Sequence, residues 1–470
     1  MLNDLTTGKP SKVLLMFTLP LLLSTAIQQF YNMADSAIVG RLDSSTSLAM
    51  IGAAYPITLF FVAIGTGAAM GCTVVVSQLF GAKRMADLKS AIYTILISLT
   101  ILGAVVGGAG MLLAGPLMRL LGVDESLYDG ARAYLMIYAL GGFPMIVYNA
   151  SSSIFTGLGD AKRPLYFLIT SSVLNIILDI IAVGPLKMSV VGAAWATAIS
   201  QFVSAILSTA VLFVKIKEIE TDGSEKIFSW EQLKSVAIVS IPSIAQQVCV
   251  AFGHTVIQSI VNRYDASTMA GYEIGSKVMN FVYMCFNTMG TALSSYAGQN
   301  YGAKRNDRIM QGYKASCIMC FTLVAVVVVI LQLFPSQFAS IFVSSSDENV
   351  EQVIQVAVHY IRIVSLDQLI VSIIIPSGGL LRGMGKIGKF FIATIVDFGL
   401  RIGASFLFTY LLEMAGSATS YNGLNYAWFV GSTVDLLMLL FWVYRLRTKG
   451  ELKKTAQDAS AQSADIPARE

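Results

Sequence analysis

The chain has 470 residues, of which 55% are hydrophobic and 13% are charged, and its formal net charge is +4. A soluble domain carries about 25% charged residues, so this composition excludes an ordinary soluble protein and indicates a membrane protein. All five cysteines lie in apolar runs, which argues against a disulfide framework.

The predicted elements are long apolar helices. The first residues, MLNDLTTGKPSK, lack the short basic-then-apolar pattern of a removable signal peptide, so we expect the first hydrophobic segment to stay in the mature protein. Segments long enough to cross about 30 Å of hydrocarbon then recur along the chain. They are continuous and not alternating, which excludes a transmembrane β-barrel. Twelve spans are predicted, near residues 13–39, 50–79, 91–115, 131–158, 164–185, 190–215, 235–261, 270–299, 312–334, 353–381, 390–412 and 424–445.

The basic residues predict the orientation. Most of the 32 Lys and Arg residues fall on one side when successive connections are assigned to alternate sides of the membrane. By the positive-inside rule that side is cytoplasmic, and it includes both termini. We expect a multi-pass protein of the cell inner (plasma) membrane. Topology accounts for the cations, so no nucleic-acid partner is expected, and binding of anionic lipid stays an alternative.

The sequence repeats itself. SQLFGAKR at residues 77–84 returns as GQNYGAKR at residues 298–305, and residues 133–140 and 155–162 are matched at a constant offset of 226. Each half contains six spans, an even number, so the halves have the same orientation in the membrane. The predicted fold is an all-α polytopic membrane protein with twelve transmembrane helices, arranged as two six-helix lobes related by a pseudo-twofold axis along the membrane normal. The predicted parts are a cytoplasmic N-terminus (1–12), an N-lobe (13–215), a linker (216–234), a C-lobe (235–446) and a flexible cytoplasmic tail (447–470).

Asp35 in span 1 and Asp179 in span 5 are acidic residues with no basic residue within four positions in the same span. Asn175 lies four residues before Asp179, on the same helical face, and Thr197 in span 6 offers a hydroxyl group. If these helices meet, the groups form a cation-coupling site for a proton or for a hard cation such as Na⁺. Alternatively, Asp35 lies near the outer end of a long span and reaches interfacial water.

Other charges inside the spans have partners at helical spacing. Opposite charges four residues apart share a face and can neutralise each other, as in Asp397 with Arg401 and Glu273 with Lys277. Asp435 in span 12 has no local partner, so the sequence leaves its role open.

Several other residues have simpler explanations. His254 and His359 show no metal-ligand spacing, so we expect packing roles and no metal site beyond the Na⁺ alternative. Cys317 and Cys320 form a C-x-x-C inside an apolar helix, which favours two packed thiols over redox chemistry. Pro20 interrupts the backbone hydrogen bonds of span 1 and is predicted to be a conformational pivot.

The combined pattern resembles the MATE (multidrug and toxic compound extrusion) transporters, over about residues 12–447. The resemblance rests on the two-repeat architecture, on LPLLLSTAIQQFYNMADSAIVGRL in span 1, on GAAYPITLFFVAIGTGAAMGCTVVVSQLFGAKR after it, and on GTALSSYAGQNYGAKR in the second half. It implies secondary active export of organic cations, drugs or other amphipathic compounds in exchange for H⁺ or Na⁺, by rocker-switch alternating access. It implies no enzymatic activity and no cofactor other than the coupling ion.

The pattern is most similar to the DinF-like branch of that family. In that branch the resemblance assigns the cation site to Asp35, Asn175 and Asp179, with Thr197 as a fourth member. The NorM-like branch uses acids in helices 7 and 10, and span 7 here has none. Asp367 in span 10 is then either a remnant of such a site or an independent polar group.

The resemblance also implies a substrate cavity between the lobes and a protein that acts as a monomer. Adaptable Met, aromatic and amide side chains suit a broad substrate range. The predicted cavity residues are Gln28, Tyr31, Met33, Gln246, Gln247, Met279, Tyr283 and Met284.

Two other functions stay as alternatives. A flippase for lipid-linked saccharides would need several cations in the central cavity, and apart from the basic residues assigned to the ends of the spans only Lys277 and Arg401 are present. An intramembrane enzyme would need a convergent nucleophile and base or a metal motif, and no such motif is present.

Overall fold

The structure is a computed structural model that describes residues 3–42, 45–343, 349–417, 419–449 and 452. Side chains are not described at residues 33, 34, 36, 37, 39–42, 45, 48 and 449. The described residues form thirteen helices: α1 (Pro10–Leu42), α2 (Ser45–Gly81), α3 (Met85–Leu120), α4 (Glu125–Gly157), α5 (Lys162–Val183), α6 (Ser189–Lys217), α7 (Trp230–Val261), α8 (Ala266–Gly302), α9 (Asn306–Leu333), α10 (Pro335–Ser340), α11 (Val350–Gly383), α12 (Ile387–Met414) and α13 (Asn422–Lys449).

The twelve long helices correspond in order to the twelve predicted spans, with ends that differ by a few residues. Eleven of them are long and apolar enough to cross a membrane. The remaining one, α8, has 37 residues and packs beside α1, α2, α9 and α11. Its polar residues lower its hydropathy, and it completes the twelve transmembrane helices of the two-lobed fold. The short α10 was not predicted, because six residues give no periodic signal.

The two lobes, α1–α6 and α7–α13, repeat the same pattern of packing. In the N-lobe α4 packs against α2, α3 and α6, and in the C-lobe α11 packs against α8, α9 and α13. The pairs α1 with α5 and α5 with α6 correspond to α7 with α12 and α12 with α13. The contacts between the lobes are also paired. The contact of α2 with α7 has its counterpart in the contact of α8 with α1, and the equivalent helices α2 and α8 also pack against each other. This pattern is that of a pseudo-twofold axis passing between α2 and α8.

The backbone repeats the duplication at the level of single residues. Lys83 and Lys304, which follow α2 and α8, both adopt a left-handed conformation with φ of 57° and 58°. Gly159 and Gly385, which follow α4 and α11, have φ of 79° and 73°. We call the end of the molecule that carries these four turns the basic end.

The lobes join at the basic end. One large core cluster contains residues of both lobes there, including Leu79 of α2, Tyr296 of α8 and Leu381 of α11. Towards the opposite end each lobe has its own core, around Met118 and Leu135 in the N-lobe and around Ile257 and Tyr360 in the C-lobe. The lobes therefore share a core at the basic end and separate towards the other end.

The segment before α1 adds to the closure of the basic end. Leu5 is buried, and its N–H donates to Oε1 of Gln299 at 2.9 Å. Arg308 donates to the carbonyl oxygens of Thr7 at 3.2 Å and Gly8 at 2.8 Å, while Asn3 donates to the carbonyl of Gly159 in the N-lobe at 3.1 Å. Residues 3–8 thus contact both lobes.

The connection between the lobes is shorter than the predicted linker, because α6 ends at Lys217 and α7 begins at Trp230. It packs along α3 through hydrogen bonds from the N–H groups of Lys226 and Ser229 to Ser90 and Thr94. The predicted tail lies largely outside the described residues, although α13 extends to Lys449.

Candidate functional site

Helices α1, α5 and α6 meet in the N-lobe and bring the predicted polar residues together. Asp179 and Asn175 on α5 are buried, with 0% and 1% of their surfaces exposed. The Asn175 amide fits its surroundings when Nδ2 donates to Oδ2 of Asp179 at 2.7 Å and its oxygen accepts from the N–H of Thr197 at 3.2 Å. The spacing of Asn175 and Asp179 on one helical turn is what aligns them.

Asp35 of α1 completes this cluster, because its carboxyl group lies within hydrogen-bonding reach of that of Asp179. Two ionised carboxylates cannot form a hydrogen bond with each other, so a bond between these two groups forms only when one of them carries a proton. Oδ1 of each carboxyl group is buried and accepts no hydrogen bond from another described residue. Paired carboxyl groups beside an amide are the kind of donor set that holds a proton or a hard cation.

Tyrosines surround the carboxyl pair. The hydroxyl of Tyr31 is hydrogen-bonded to Thr197, and Tyr31 lies near both Asp35 and Asp179. Tyr134 and Tyr138 of α4 stack with ring centroids 5.9 Å apart and lie within electrostatic range of Asp35. Tyr31 was predicted to line the substrate cavity, and the structure instead places it at the carboxyl pair.

Sequence reasoning missed Tyr134 and Tyr138. They occur in the segment AYLMIYAL, where they read as apolar helix residues. Their four-residue spacing places both rings on one face of α4, and a test for polar aromatic residues at helical spacing would have found them.

The predicted cavity residues divide into two groups. In the first group, Gln28 and Tyr283 are exposed. Met284 accepts a hydrogen bond at its Sδ from Nε2 of Gln29 in the other lobe, at 2.6 Å. Nε2 of Gln247 lies 3.5 Å from Oγ1 of Thr66, which also belongs to the other lobe. Met284 and Gln247 therefore lie at the interface between the lobes, whereas the side chain of Met33 lies outside the described part.

Two of the predicted cavity residues do not face the cleft in this structure. Gln246 is 4% exposed and donates to Thr394 of α12, and Met279 packs in the C-lobe core. Successive helix positions are about 100° apart, so Gln247 borders the cleft while Gln246 turns into its own lobe. The sequence could not distinguish these faces because both are rich in polar and Met residues.

Pro20 lies within α1, which continues as one helix through it. Its ring removes the N–H that would bond to the carbonyl of Met16. The hydroxyl of Ser24 donates to the Pro20 carbonyl at 2.9 Å, which occupies an acceptor on the next turn. Its role as a pivot stays a prediction.

The C-lobe has a buried charged cluster of its own. Nη2 of Arg401 donates to both carboxylate oxygens of Asp397 at 2.8 Å, which confirms the predicted pair. The Arg401 guanidinium also lies 4.0 Å from the ring centroid of Trp428. Asp367, which accepts from Ser432 at 3.1 Å, and Asp435 are buried within electrostatic range of Arg401. Three acids thus surround one cation.

The histidines and cysteines show packing contacts. Nδ1 of His359 lies 2.9 Å from the hydroxyl of Tyr421, and the ring of His254 lies 5.8 Å from that of Phe398. Cys317 and Cys320 are free thiols. Within the described part of the chain, no group of three or more His, Cys, Asp and Glu residues is arranged to hold a metal ion.

Comparison with known proteins identifies the family. The MatE family model matches residues 20–181 and 242–407, which include most of both lobes. The chain belongs to the MatE family. The matched regions of this MatE protein contain Asp35, Asn175 and Asp179 in the first lobe and the Asp397–Arg401 pair in the second.

Individual relatives span most of this MatE chain. Probable multidrug resistance protein YpnP of Bacillus subtilis is 25% identical over 427 residues, covering 86% of this chain and 94% of its own. Probable multidrug resistance protein YoeA of the same organism is 26% identical over 349 residues, covering 72% of this chain and 75% of its own. A solved structure described as the outward-facing conformation of a multidrug resistance MATE family transporter superposes with a TM-score of 0.85 at 23% identity, covering 93% and 96% of the two chains. This last likeness shows the shared fold.

Proposed function

We propose that this MatE protein is a secondary active exporter of amphipathic small molecules, including organic cations and drugs, in exchange for protons by rocker-switch alternating access. The observation that carries the proposal is the Asp35–Asp179 carboxyl pair, which meets inside one lobe of a two-lobed membrane protein and which one proton can bridge. Sodium is the alternative coupling ion. The family and the multidrug resistance relatives support the efflux function.

The orientation follows from the distribution of basic residues. The basic end, where the lobes join, faces the cytoplasm by the positive-inside rule. The cleft between the lobes then faces outward in the present conformation, and the protein acts as a monomer in the plasma membrane.

Coupling requires that the proton and the substrate disfavour each other's conformational state. Loss of the shared proton leaves two carboxylates in contact, and their repulsion acts between α1 and α5. Proton binding from the outside removes that repulsion, so α1 packs against α5 and bends at Pro20. This rearrangement lowers the affinity of the outward-facing cleft for substrate. Tyr31, bonded to Thr197, transmits the change to α6.

The flippase alternative needs several cations in the cavity to hold a pyrophosphate group, and α8 supplies one, Lys277.

The test is efflux of rhodamine 6G from proteoliposomes, with a proton gradient and a sodium gradient imposed separately. We expect the proton gradient to drive efflux and Asp35→Asn to abolish it. The matched control is Asp367→Asn, which neutralises a buried acid in the other lobe. Efflux driven by the sodium gradient alone would identify Na⁺ as the coupling ion. Full gradient-driven efflux by Asp35→Asn would refute the assignment of the site.

A further inference from the structure

One face of α8 lines the cleft with polar residues. Glu273, Lys277, Asn280 and Met284 follow each other at spacings of three and four residues, so they share this face. Two contacts with α1 fix its direction: Met284 with Gln29 at 2.6 Å, and the hydroxyl of Thr288 with that of Thr25 at 2.8 Å. The face therefore points across the lobe interface, and Lys277 lies two turns, about 10 Å, beyond the level where the lobes touch.

Lys277 is a charged side chain inside a transmembrane helix, yet 57% of it is exposed. Its partner Glu273 is 50% exposed, and Nζ lies 3.9 Å from Oε1. An exposed pair at this distance contributes little, about 0–1 kcal/mol, so Glu273 does not hold Lys277 tightly. A charge in a span is tolerated where it faces water, which here is the cleft.

The acids of the C-lobe interior do not compete for Lys277 from within the cleft. Asp367, Asp397 and Asp435 are at most 7% exposed and are grouped around Arg401. On the opposite wall, Tyr55 of α2 is 57% exposed and lies within electrostatic range of Glu273. Among the described side chains, Lys277 is thus accompanied by one accessible carboxylate, that of Glu273, and the same region carries aromatic and thioether surface from Tyr55 and Met284.

We propose that Lys277 binds the acidic group of an amphipathic substrate, so that this transporter carries aromatic anions or zwitterions with a carboxylate, sulfonate or phosphate group. The ammonium group offers three hydrogen-bond donors and no acceptor. An acidic group displaces the weakly held Glu273 and forms charge-assisted hydrogen bonds, while the apolar body packs against Tyr55 and Met284. Glu273, once released, receives any amine on the same substrate. This inference rests on the proposed export function and adds the charge selectivity of its cleft.

The test compares two dyes with a common xanthene skeleton and opposite charge, 5-carboxyfluorescein and rhodamine 6G. Both are measured in the proteoliposome assay, and the readout is the ratio of their transport efficiencies. We expect Lys277→Gln to lower the carboxyfluorescein-to-rhodamine ratio about tenfold, since a charge-assisted hydrogen bond is replaced by a neutral one. Lys277→Arg keeps the charge and should keep the ratio. Glu273→Gln, the matched change one turn away, should hold or raise it.

The outcomes separate this inference from the proposed function. Gradient-driven rhodamine transport with an unchanged dye ratio in Lys277→Gln would overturn the inference and leave the export function standing. Parent protein that moves rhodamine but no carboxyfluorescein would do the same. Gradient-independent movement of both dyes by the parent protein would overturn the export function and this inference together.

Discussion

At the scale of single residues, the two lobes use buried carboxylates in opposite ways. In the N-lobe, Asp35 and Asp179 face each other with no basic partner among the described side chains, an arrangement that suits groups that change their protonation. In the C-lobe, Arg401 compensates Asp397 directly and lies near two more acids. The first arrangement can switch, whereas the second depends on its cation for stability.

Replacement of Arg401 by methionine should destabilise the protein strongly. It leaves the buried carboxylate of Asp397 without a counter-charge, and breaking a buried pair in this way costs about 3–5 kcal/mol. Thermal unfolding in detergent measures the loss. The matched variant Lys277→Met removes an exposed cation and should cost less than about 1 kcal/mol. Equal shifts in Tm for the two variants would contradict this account of the cluster.

Neutralising an acid of the same cluster should leave the protein as stable as the parent or more stable. Asp435→Asn reduces the excess of carboxylates around Arg401, and it leaves the Asp397–Arg401 pair intact. We expect the Tm of this variant to equal or exceed that of the parent. A loss as large as that of Arg401→Met would show that Asp435 is itself an essential counter-charge.

The residues of the candidate site were partly readable from the sequence. An acid with no basic residue at helical spacing is a strong signal inside a membrane span, and it identified Asp35 and Asp179. Gln246 and Met279 were predicted at the cavity but are buried inside the C-lobe in this conformation, because residue type does not reveal which way a helix is turned. Tyr134 and Tyr138 were missed because tyrosine is common in apolar helices.

At the scale of elements, the basic end is held by close helix packing and by the segment before α1. Gly81 of α2 and Gly302 of α8 lie where the two helices cross, and a Cβ at either position would collide with a backbone carbonyl of the other helix. The segment 3–8 then contacts both lobes. Opening towards the cytoplasm must break both sets of contacts.

Gly81→Val should force the lobes apart at the basic end, because the carbonyl of Gln299 leaves no room for a side chain. Spin labels at Lys162 and Gly388, in a background without native cysteines, report the separation of the lobes by pulsed EPR. We expect longer distances in the variant. Gly52→Val, in the same helix at a position with no atom within 4 Å of its Cβ, is the control and should leave the distances unchanged.

Removal of the residues before Lys9 should shift the same distances in the same direction. The deletion eliminates the bond from the N–H of Leu5 to Gln299 and the bonds from Arg308 to the carbonyls of Thr7 and Gly8, and it exposes the pocket of Leu5. Lys83→Gln serves as the control, since it removes only a partly exposed pair with Asp4 at 3.5 Å. If the deletion and the control give the same distance distribution as the parent, the segment does not secure the closed end.

Asp4 helps to anchor that segment at neutral pH. Burial raises the pKa of its carboxyl group, but hydrogen bonds from Thr6 and the nearby charge of Lys83 outweigh burial and leave the pKa below its ordinary value. A depressed pKa means that the anchor is fully present above the ordinary value and is lost as the pH falls through the lowered one.

At the scale of the whole molecule, the duplication of the sequence predicted the architecture. Recurring motifs in the same order and an even number of spans per half require two lobes of equal orientation, and the paired helix contacts confirm this arrangement. The polar face of α8 was readable in part, through Glu273 and Lys277, but its direction needed the contacts with α1. The sequence could not predict which end of the cleft is closed, because both states use the same helices.

We propose that the carboxyl pair of the N-lobe exchanges protons for substrate. The most direct measurement is the internal pH of proteoliposomes, followed with a trapped dye while rhodamine 6G is exported. We predict substrate-dependent proton entry in the parent and in Asp367→Asn, and none in Asp179→Asn. Undiminished proton entry coupled to export in Asp179→Asn would contradict the account.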